Sequence, residues 1–162
     1  AWMPDSRRLV FTSDRSGNND IYMLTVPPPD AAPLTSELEL TPVVISPADD
    51  RDPAVNGYGE LLFLSNRDGV MKTYYLDLRY SYSQPYPFTD TNQPEGHPCW
   101  TDEYYILVAA ERDGDSNIYR AIYPDTYTPL APSPYFDGHP AWGPVWWMPE
   151  ASVSREWLIG RR

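Results

Sequence analysis

The sequence predicts an all-β protein built from repeated four-stranded antiparallel sheets. The chain has 19 prolines in 162 residues, which excludes long helices because proline has no amide hydrogen to give a helix interior. Its apolar segments are short and rich in β-branched and aromatic residues, as strands are. Similar segments recur, and their turn glycines are separated by 52 residues (17 to 69) and then by 45 residues (69 to 114). A period of about 40–50 residues with several short strands is typical of β-propeller blades.

The repeat is visible at four landmarks that keep the same order in each unit. Residues 1–24, 54–77 and 99–122 align, and a fourth copy starts at 138–144. Helical repeats of this length would show a 3.6-residue apolar period, which these segments lack. The landmarks are an inner-strand position (Trp2, Val55, Trp100, Trp142), a turn arginine (Arg15, Arg67, Arg112), a turn glycine (Gly17, Gly69, Gly114) and a strand tyrosine (Tyr22, Tyr74, Tyr119).

Each unit is predicted to hold four strands in chain order. The inner strand carries a Pro-Ala-Trp-like element, at 53–55, 98–100 and 140–142. The second strand spans 8–13, 61–65 and 105–110. After a turn whose glycine supplies a positive φ, the third spans 20–26, 72–78 and 117–123. The fourth is shorter and less regular, at 42–46, 86–89 and 127–131, and an insertion at 27–40 lengthens the first unit.

The repeat divides the chain into three blades, a further strand and a tail. The predicted blades are 1–47, 48–93 and 94–137, and the first strand of a fourth lies at 138–144. Residues 145–162 form an aromatic tail that includes Trp146 and Trp147. We expect this tail to be buried, as a closing strand or as a hook on a partner, because an exposed aromatic cluster invites aggregation.

These motifs resemble the TolB-type, WD-like propeller repeat. The first unit carries WMPD at 2–5, SDRSG at 13–17 and DIY at 20–22; the second carries SNRDG at 65–69, and the third carries RDG at 112–114 and NIY at 117–119. The resemblance implies a propeller of six or seven blades with no catalytic group in the repeats. It also implies an extracytoplasmic location, periplasmic or secreted. Such propellers occur in translocation-linked proteins, as gating domains of serine peptidases and as substrate domains of polysaccharide lyases.

Three blades are too few to close a ring at the usual twist of four-stranded sheets. Both end blades would then expose apolar surface. Three explanations are open: further blades of the same parent chain, a second copy that completes a six-bladed ring, or a different partner that covers the ends. The prediction is therefore a partial ring or half of a homodimeric ring.

The residue before the inner-strand proline, which recurs from unit to unit, is a candidate functional site. His97 and His139 each precede a proline just before the inner strand, and Asp52 holds the matching place. Equivalent positions of successive blades line one mouth of a propeller channel. The three side chains could ligate a divalent metal, anchor the loop through backbone hydrogen bonds, or contact a ligand directly. No other cofactor is expected.

The composition limits which kinds of partner the chain is expected to bind. The formal net charge of −11 disfavours nucleic acid and anionic lipid, both of which need a basic surface. No apolar run approaches the ~18 residues of a membrane helix, so membrane insertion is not expected. The only cysteine, Cys99, is expected to be a small buried residue. The turn arginines are expected to tie one blade to the next through carboxylate or carbonyl contacts.

The sequence favours a non-catalytic scaffold that binds a protein or peptide. It has no Gly-x-Ser-x-Gly elbow and no His-Glu-x-x-His helix motif, so no enzyme activity is expected. Two alternatives stay open: the accessory or substrate-gating propeller of a larger peptidase or lyase, and a structural subunit of a large assembly. Aromatic side chains suit contact surfaces, and the candidate binding residues are Tyr58, Tyr86, Tyr135, Trp146 and Trp147.

Overall fold

The fold was analysed in a computed structural model of the chain, which describes residues 1–28, 40–101, 105–112, 114–124, 126–130 and 135–140. These residues form strands and turns and include no helix. No helix that could span a membrane occurs within them. The strands are β1 Arg8–Ser13, β2 Asp20–Thr25, β3 Leu40–Val44, β4 Asp50–Val55, β5 Glu60–Ser65, β6 Lys72–Asp77, β7 Tyr86–Pro87, β8 Glu95–Trp100, β9 Ile106–Glu111, β10 Ser116–Ile122 and β11 Thr126–Pro129.

The strands form three antiparallel sheets, in the orders β1-β2-β3, β4-β5-β6-β7 and β8-β9-β10-β11. Each sheet is a meander in which every strand pairs with its neighbour in sequence. We call them blades 1, 2 and 3. The all-β fold with propeller-type blades is confirmed, and each sheet falls within one of the ranges expected from the repeat.

Blade 1 differs from the other two at its inner strand. Residues 1–3 occupy the inner position but pair with β1 through one isolated bridge, Trp2 to Leu9. Two backbone hydrogen bonds extend this pairing, from Met3 N to the Arg8 carbonyl at 2.8 Å and from Val10 N to the Ala1 carbonyl at 2.8 Å. Blade 1 therefore has the same layout as the other blades, with a shorter inner strand.

Two apolar clusters hold the blades together. The first packs blade 1 against blade 2 and includes Met3, Val10, Ile21, Val44, Leu61, Phe63, Tyr74 and Leu76. The second packs blade 2 against blade 3 and includes Leu62, Phe88, Ile106, Val108, Ala110, Tyr119 and Ala121. Blade 2 contributes alternate residues of β5 to the two clusters, because successive strand side chains point to opposite faces of a sheet. Burial of both faces explains the continuous apolar run LLFL at 61–64.

A backbone hydrogen bond repeats at each step from one blade to the next. Asp50 N donates to the Asn19 carbonyl at 2.8 Å, Glu95 N to the Met71 carbonyl at 2.9 Å, and Asp137 N to the Ser116 carbonyl at 2.7 Å. The third of these bonds places residue 137 where each preceding inner strand begins. Residues 138–140 have no regular structure, and 141–162 lie outside the described residues. The fourth strand and the aromatic tail therefore stay predictions.

The turn glycines have the backbone conformation expected from the sequence. Gly17, Gly69 and Gly114 have φ of +112°, +90° and +91°, a region that side chains with a Cβ rarely adopt. In the first two turns the glycine amide donates to the backbone carbonyl three residues earlier, that of Asp14 at 2.9 Å and that of Asn66 at 2.8 Å. These turns join the second and third strands of each blade.

Candidate functional site: a histidine row and a tyrosine end

Asp52, His97 and His139 adopt the same unusual backbone conformation in successive units. Each precedes a proline and has a positive φ, of +53°, +49° and +55° respectively. In blades 2 and 3 the inner strand shifts register at this point, between Arg51 and Ala54 and between Gly96 and Cys99. Such a bulge turns one side chain out of the regular alternation. The equivalence inferred from the sequence is therefore present in the backbone.

The three side chains form a continuous row. The Nδ1 of His97 lies 3.1 Å from Oδ2 of Asp52, and its ring stacks on the ring of His139 with centroids 3.6 Å apart and an interplanar angle of 29°. The side chains of His97 and Asp52 are 37% and 34% exposed, so a solute can reach them. We call Asp52, His97 and His139 the histidine row. Its donors and acceptors are suited to hydrogen bonding with a polar ligand.

The histidine row fits a metal ion poorly. An imidazole binds a metal through a nitrogen lone pair in the ring plane, whereas stacked rings present their faces to each other. The described residues contain no group of three His, Cys, Asp or Glu side chains arranged to hold a metal ion. Metal ligation thus stays a prediction from the sequence, without support from this geometry.

A second polar centre lies between blades 2 and 3 at Glu95, which is 5% exposed. Its Oε2 accepts hydrogen bonds from Thr73 N at 2.9 Å, Thr73 Oγ1 at 2.7 Å and Thr89 Oγ1 at 2.7 Å. Its Oε1 accepts one from the Tyr127 hydroxyl. Burial, followed by the nearby Glu95 carboxylate, raises the pKa of Tyr127 above its ordinary value. Because the carboxylate has four donors, this centre is structural. Sequence reasoning missed it, since no motif marks Glu95.

The turn arginines stack on the strand tyrosines within their own blades. The guanidinium carbon lies 4.7 Å from the ring centroid for Arg15 and Tyr22, 4.8 Å for Arg67 and Tyr74, and 5.5 Å for Arg112 and Tyr119. A cation over an aromatic face is attractive. The constant spacing of seven residues between arginine and tyrosine was the signal that sequence reasoning missed.

The expected role of these arginines as ties between blades is wrong for two of the three. Arg67 Nη2 bonds to the buried Asp50 carboxylate of its own blade at 2.9 Å, and Arg15 Nε bonds to Ser13 Oγ at 3.0 Å. Among the described residues, only Arg112 of the three reaches the preceding blade, at 3.4 Å from its Nη2 to Thr91 Oγ1. The hairpin turn places the guanidinium groups of Arg15 and Arg67 above their own sheets, where they find their acceptors.

The inner-strand tryptophans have different environments. Trp100 is half-buried, and its Nε1 donates to the Ala54 carbonyl of blade 2 at 3.2 Å, which joins two inner strands. Trp2 is 56% exposed. Trp142, Trp146 and Trp147 lie outside the described residues.

Exposed tyrosines gather at one end of the blades. In a meander, the connection between strands one and two lies at the same end as that between strands three and four. The Leu78 amide, after β6, accordingly donates to the Gly59 carbonyl, before β5, at 3.1 Å. We call this surface the tyrosine end; its exposed members are Tyr58 (73%), Tyr80 (49%), Tyr82 (78%), Tyr86 (43%) and Tyr123 (57%).

The rings of the tyrosine end are partly supported by the half-buried Tyr75 and the buried Phe88. Tyr86 lies 5.0 Å from Tyr75 and 6.2 Å from Tyr123, and Tyr123 lies 6.0 Å from Phe88 (centroid distances). Of the binding residues expected from the sequence, Tyr58 and Tyr86 lie here. Tyr135 is 76% exposed but follows β11, so it lies at the opposite end.

The opposite end carries an open cleft of about 390 Å³ lined by Ser46, Pro47, Ala48, Asn66 and Arg67. Arg67 is held there by the Asp50 carboxylate and Ser65 Oγ. Two of its guanidinium nitrogens, Nε and Nη2, are thus engaged by its own blade.

Comparisons with known proteins show the fold. No protein-family model matches the chain, and no curated protein matches it. Solved structures do match. TolB from Acinetobacter baumannii has 21% identity and a TM-score of 0.62, covering 85% of this chain and 32% of that one. A TolB from Agrobacterium tumefaciens, described as putative, has 17% identity and a TM-score of 0.62, covering 80% and 47%.

Apo prolyl oligopeptidase B from Galerina marginata has 19% identity and a TM-score of 0.57, covering 81% of this chain and 19% of that one. The chain thus spans about a third to a half of the TolB structures and about a fifth of the peptidase. Fold and comparisons together define the class: the chain consists of β-propeller blades. More particularly, its structural neighbours include TolB proteins, which bears out, at the level of the fold, the resemblance to the TolB-type repeat.

Proposed function

We propose that this chain is a non-catalytic scaffold that binds a protein or peptide at the tyrosine end. The observation that carries the proposal is the presence of five tyrosines, each at least 43% exposed, at one end of blades 2 and 3: four lie on connections, and Tyr86 is the first residue of β7. Tyrosine combines a large apolar ring with a hydroxyl and loses little side-chain entropy on binding, so it is enriched at interface hot spots.

Charge indicates the kind of partner. The net charge of −11 favours a partner that is basic or carries basic residues. At the tyrosine end, however, Arg79 pairs with Asp77 at 2.7 Å and with Glu60 at 3.4 Å, which offsets one of these two negative charges. Recognition there would rest on ring contacts, with the charge of the whole chain assisting the approach. The proposed setting is extracytoplasmic, on the strength of the family resemblance alone.

Selection of displayed peptides on the immobilised chain tests the proposal. We expect selected peptides to lose about fivefold or more in affinity on Tyr82→Ser and on Tyr123→Ser, since a hot-spot side chain contributes more than about 1 kcal/mol. Phe136→Ser is the matched control, because Phe136 is 74% exposed at the opposite end. Peptides whose binding depends on Phe136 and not on either tyrosine would contradict the proposal.

A second candidate is the propeller of a larger peptidase. The match to prolyl oligopeptidase B, at a TM-score of 0.57, favours it. An antibody against the chain should then detect a native polypeptide several times heavier than 18.5 kDa that also reacts with a serine-hydrolase probe. A native polypeptide of 18.5 kDa that does not react with the serine-hydrolase probe would contradict this candidate.

A further inference from the structure

Tyr86 and Tyr123 form an aromatic corner where blades 2 and 3 meet. Their ring centroids are 6.2 Å apart and the rings are nearly perpendicular, at 85°. The buried Phe88 packs beside Tyr123, with centroids 6.0 Å apart. Two perpendicular rings allow one group to contact both, and both rings are open to solvent, with Tyr86 43% and Tyr123 57% exposed. We call Tyr86 and Tyr123 the aromatic corner.

The aromatic corner is formed across a blade contact that the structure describes on both sides. Tyr86 begins β7 of blade 2, which packs on blade 1 with one face and on blade 3 with the other. Tyr123 follows β10 of blade 3, and its ring lies against Tyr86 and Phe88 of blade 2. Both rings are thus placed by the contact between blades 2 and 3, and not by the outer face of either end blade.

The charge beside the aromatic corner is negative. The Tyr75 ring lies 5.0 Å from that of Tyr86, and the Tyr75 hydroxyl donates to Oε1 of Glu60 at 3.0 Å. Arg79 pairs with Glu60 and with Asp77, so two carboxylates against one guanidinium leave a net charge of about −1. Burial, followed by nearby ionisable groups that include Glu60 and Asp77, raises the pKa of Tyr86.

Other tyrosine rings of this chain hold a cation that the protein itself supplies. Besides the turn arginines over their strand tyrosines, the guanidinium carbon of Arg112 lies 3.4 Å from the ring centroid of Tyr127. Among the described residues, no arginine or lysine lies over the ring of Tyr86 or Tyr123. The aromatic corner therefore combines ring faces and negative charge, both of which attract a cation, and the described part of the chain places none there.

We propose that the aromatic corner binds a cationic side chain of the partner, arginine in particular. This inference rests on the proposed function and deepens it by naming the chemistry that the tyrosine end recognises. A guanidinium is planar and weakly hydrated, so it stacks on one ring while its edge faces the neighbouring carboxylates. An uncharged apolar side chain would gain the ring contact but not the attraction of the charge.

NMR titration of the 162-residue chain with N-acetyl-arginine amide tests the aromatic corner. N-acetyl-citrulline amide is the matched control ligand, because it has almost the same shape and no charge. We expect the arginine amide to bind about two- to fivefold more tightly, as for an exposed cation–π contact. The ring signals of Tyr86 and Tyr123 should shift on binding. Equal affinity for the two amides, or binding of neither, would overturn the proposal.

Ring variants then test where the cation binds. Tyr123→Leu keeps an apolar side chain without a ring face, so the preference for arginine amide should disappear, whereas Tyr123→Phe should keep it. Tyr58→Leu, at an exposed position outside the corner, is the control and should also keep it. Circular dichroism checks that each variant keeps its strands, and Tyr86→Leu repeats the test on the second ring. A preference that survives both leucine variants of the corner would overturn the assignment.

This inference and the proposed function can fail separately. Displayed peptides that depend on Tyr82 and Tyr123 but bind equally well after their arginines and lysines are replaced by glutamine would support the scaffold and overturn the cation site. A preference for arginine amide that Tyr123→Leu removes, in a chain that selects no displayed peptide, would support the cation site and overturn the peptide scaffold.

Discussion

At the residue scale, the buried carboxylates of Asp50 and Glu95 are each held by several hydrogen bonds. Glu95 has four donors, and the fully buried Asp50 pairs with Arg67 at 2.9 Å and accepts from Ser46 Oγ at 2.7 Å. A buried carboxylate costs free energy unless it is paired in this way. These carboxylates therefore fix how one blade is oriented on the next more than they add stability.

Glu95→Gln tests the role of the best-satisfied carboxylate. The amide removes the charge that strengthens these bonds, and its NH₂ group cannot accept: either the Thr73 backbone N–H loses its acceptor, or the Tyr127 hydroxyl must turn from donor to acceptor. We expect the free energy of unfolding in urea to fall by about 1–3 kcal/mol. Glu111→Gln, at an exposed position, is the control and should change it by less than about 0.5 kcal/mol. Equal stability of both variants would show that the four contacts are dispensable.

At the element scale, the turn between the second and third strands is the most regular part of each blade. Its glycine holds a positive φ in all three blades, and the arginine before it stacks on the strand tyrosine. The two features belong together, because the tight turn brings the arginine back over the sheet.

Gly69→Ala tests the turn and has an internal control. Nothing lies within 4 Å of an added Cβ at Gly69, so the cost of the substitution comes from its φ of +90° alone. We expect a loss of about 1 kcal/mol or more in the free energy of unfolding. Gly57→Ala also meets nothing within 4 Å but needs no positive φ, and should be neutral or slightly stabilising. A loss of the same size at both glycines would show that φ is not the cause.

At the scale of the whole molecule, three tyrosine hydroxyls that donate to carboxylates within blades 2 and 3 should make the folded state less stable at high pH. Burial raises the pKa of Tyr74, Tyr75 and Tyr127, and the carboxylates of Asp68, Glu60 and Glu95 raise each further. The folded state therefore keeps these protons where the unfolded chain, with an ordinary tyrosine pKa of about 10, has lost them.

Stability from these hydroxyls is complete below pH ~10 and is lost progressively as the pH rises above it, because the unfolded state then releases protons first. The urea midpoint of unfolding, measured from neutral to strongly alkaline pH, should decrease as the pH rises above ~10. Tyr127→Phe should make the urea midpoint decrease less steeply with pH. Tyr58→Phe should leave that pH dependence unchanged, because Tyr58 is exposed in a turn. A midpoint that is flat above pH ~10 would contradict the raised pKa values.

The sequence by itself determined the local structure of this protein. The spacing of the repeated landmarks predicted three sheets, the strands in them, the turn glycines and the equivalence of Asp52, His97 and His139. These features depend on alternation, turn chemistry and pairing with the next strand, all of which act between residues close in the chain.

Only the tertiary structure decided the contacts between blades. The stacking of His97 on His139, the four donors of Glu95 and the shared end of the exposed tyrosines join residues from different connections or blades. The physical reason is that a repeat encodes each blade in the same way, while the distance between two blades depends on how their apolar faces pack.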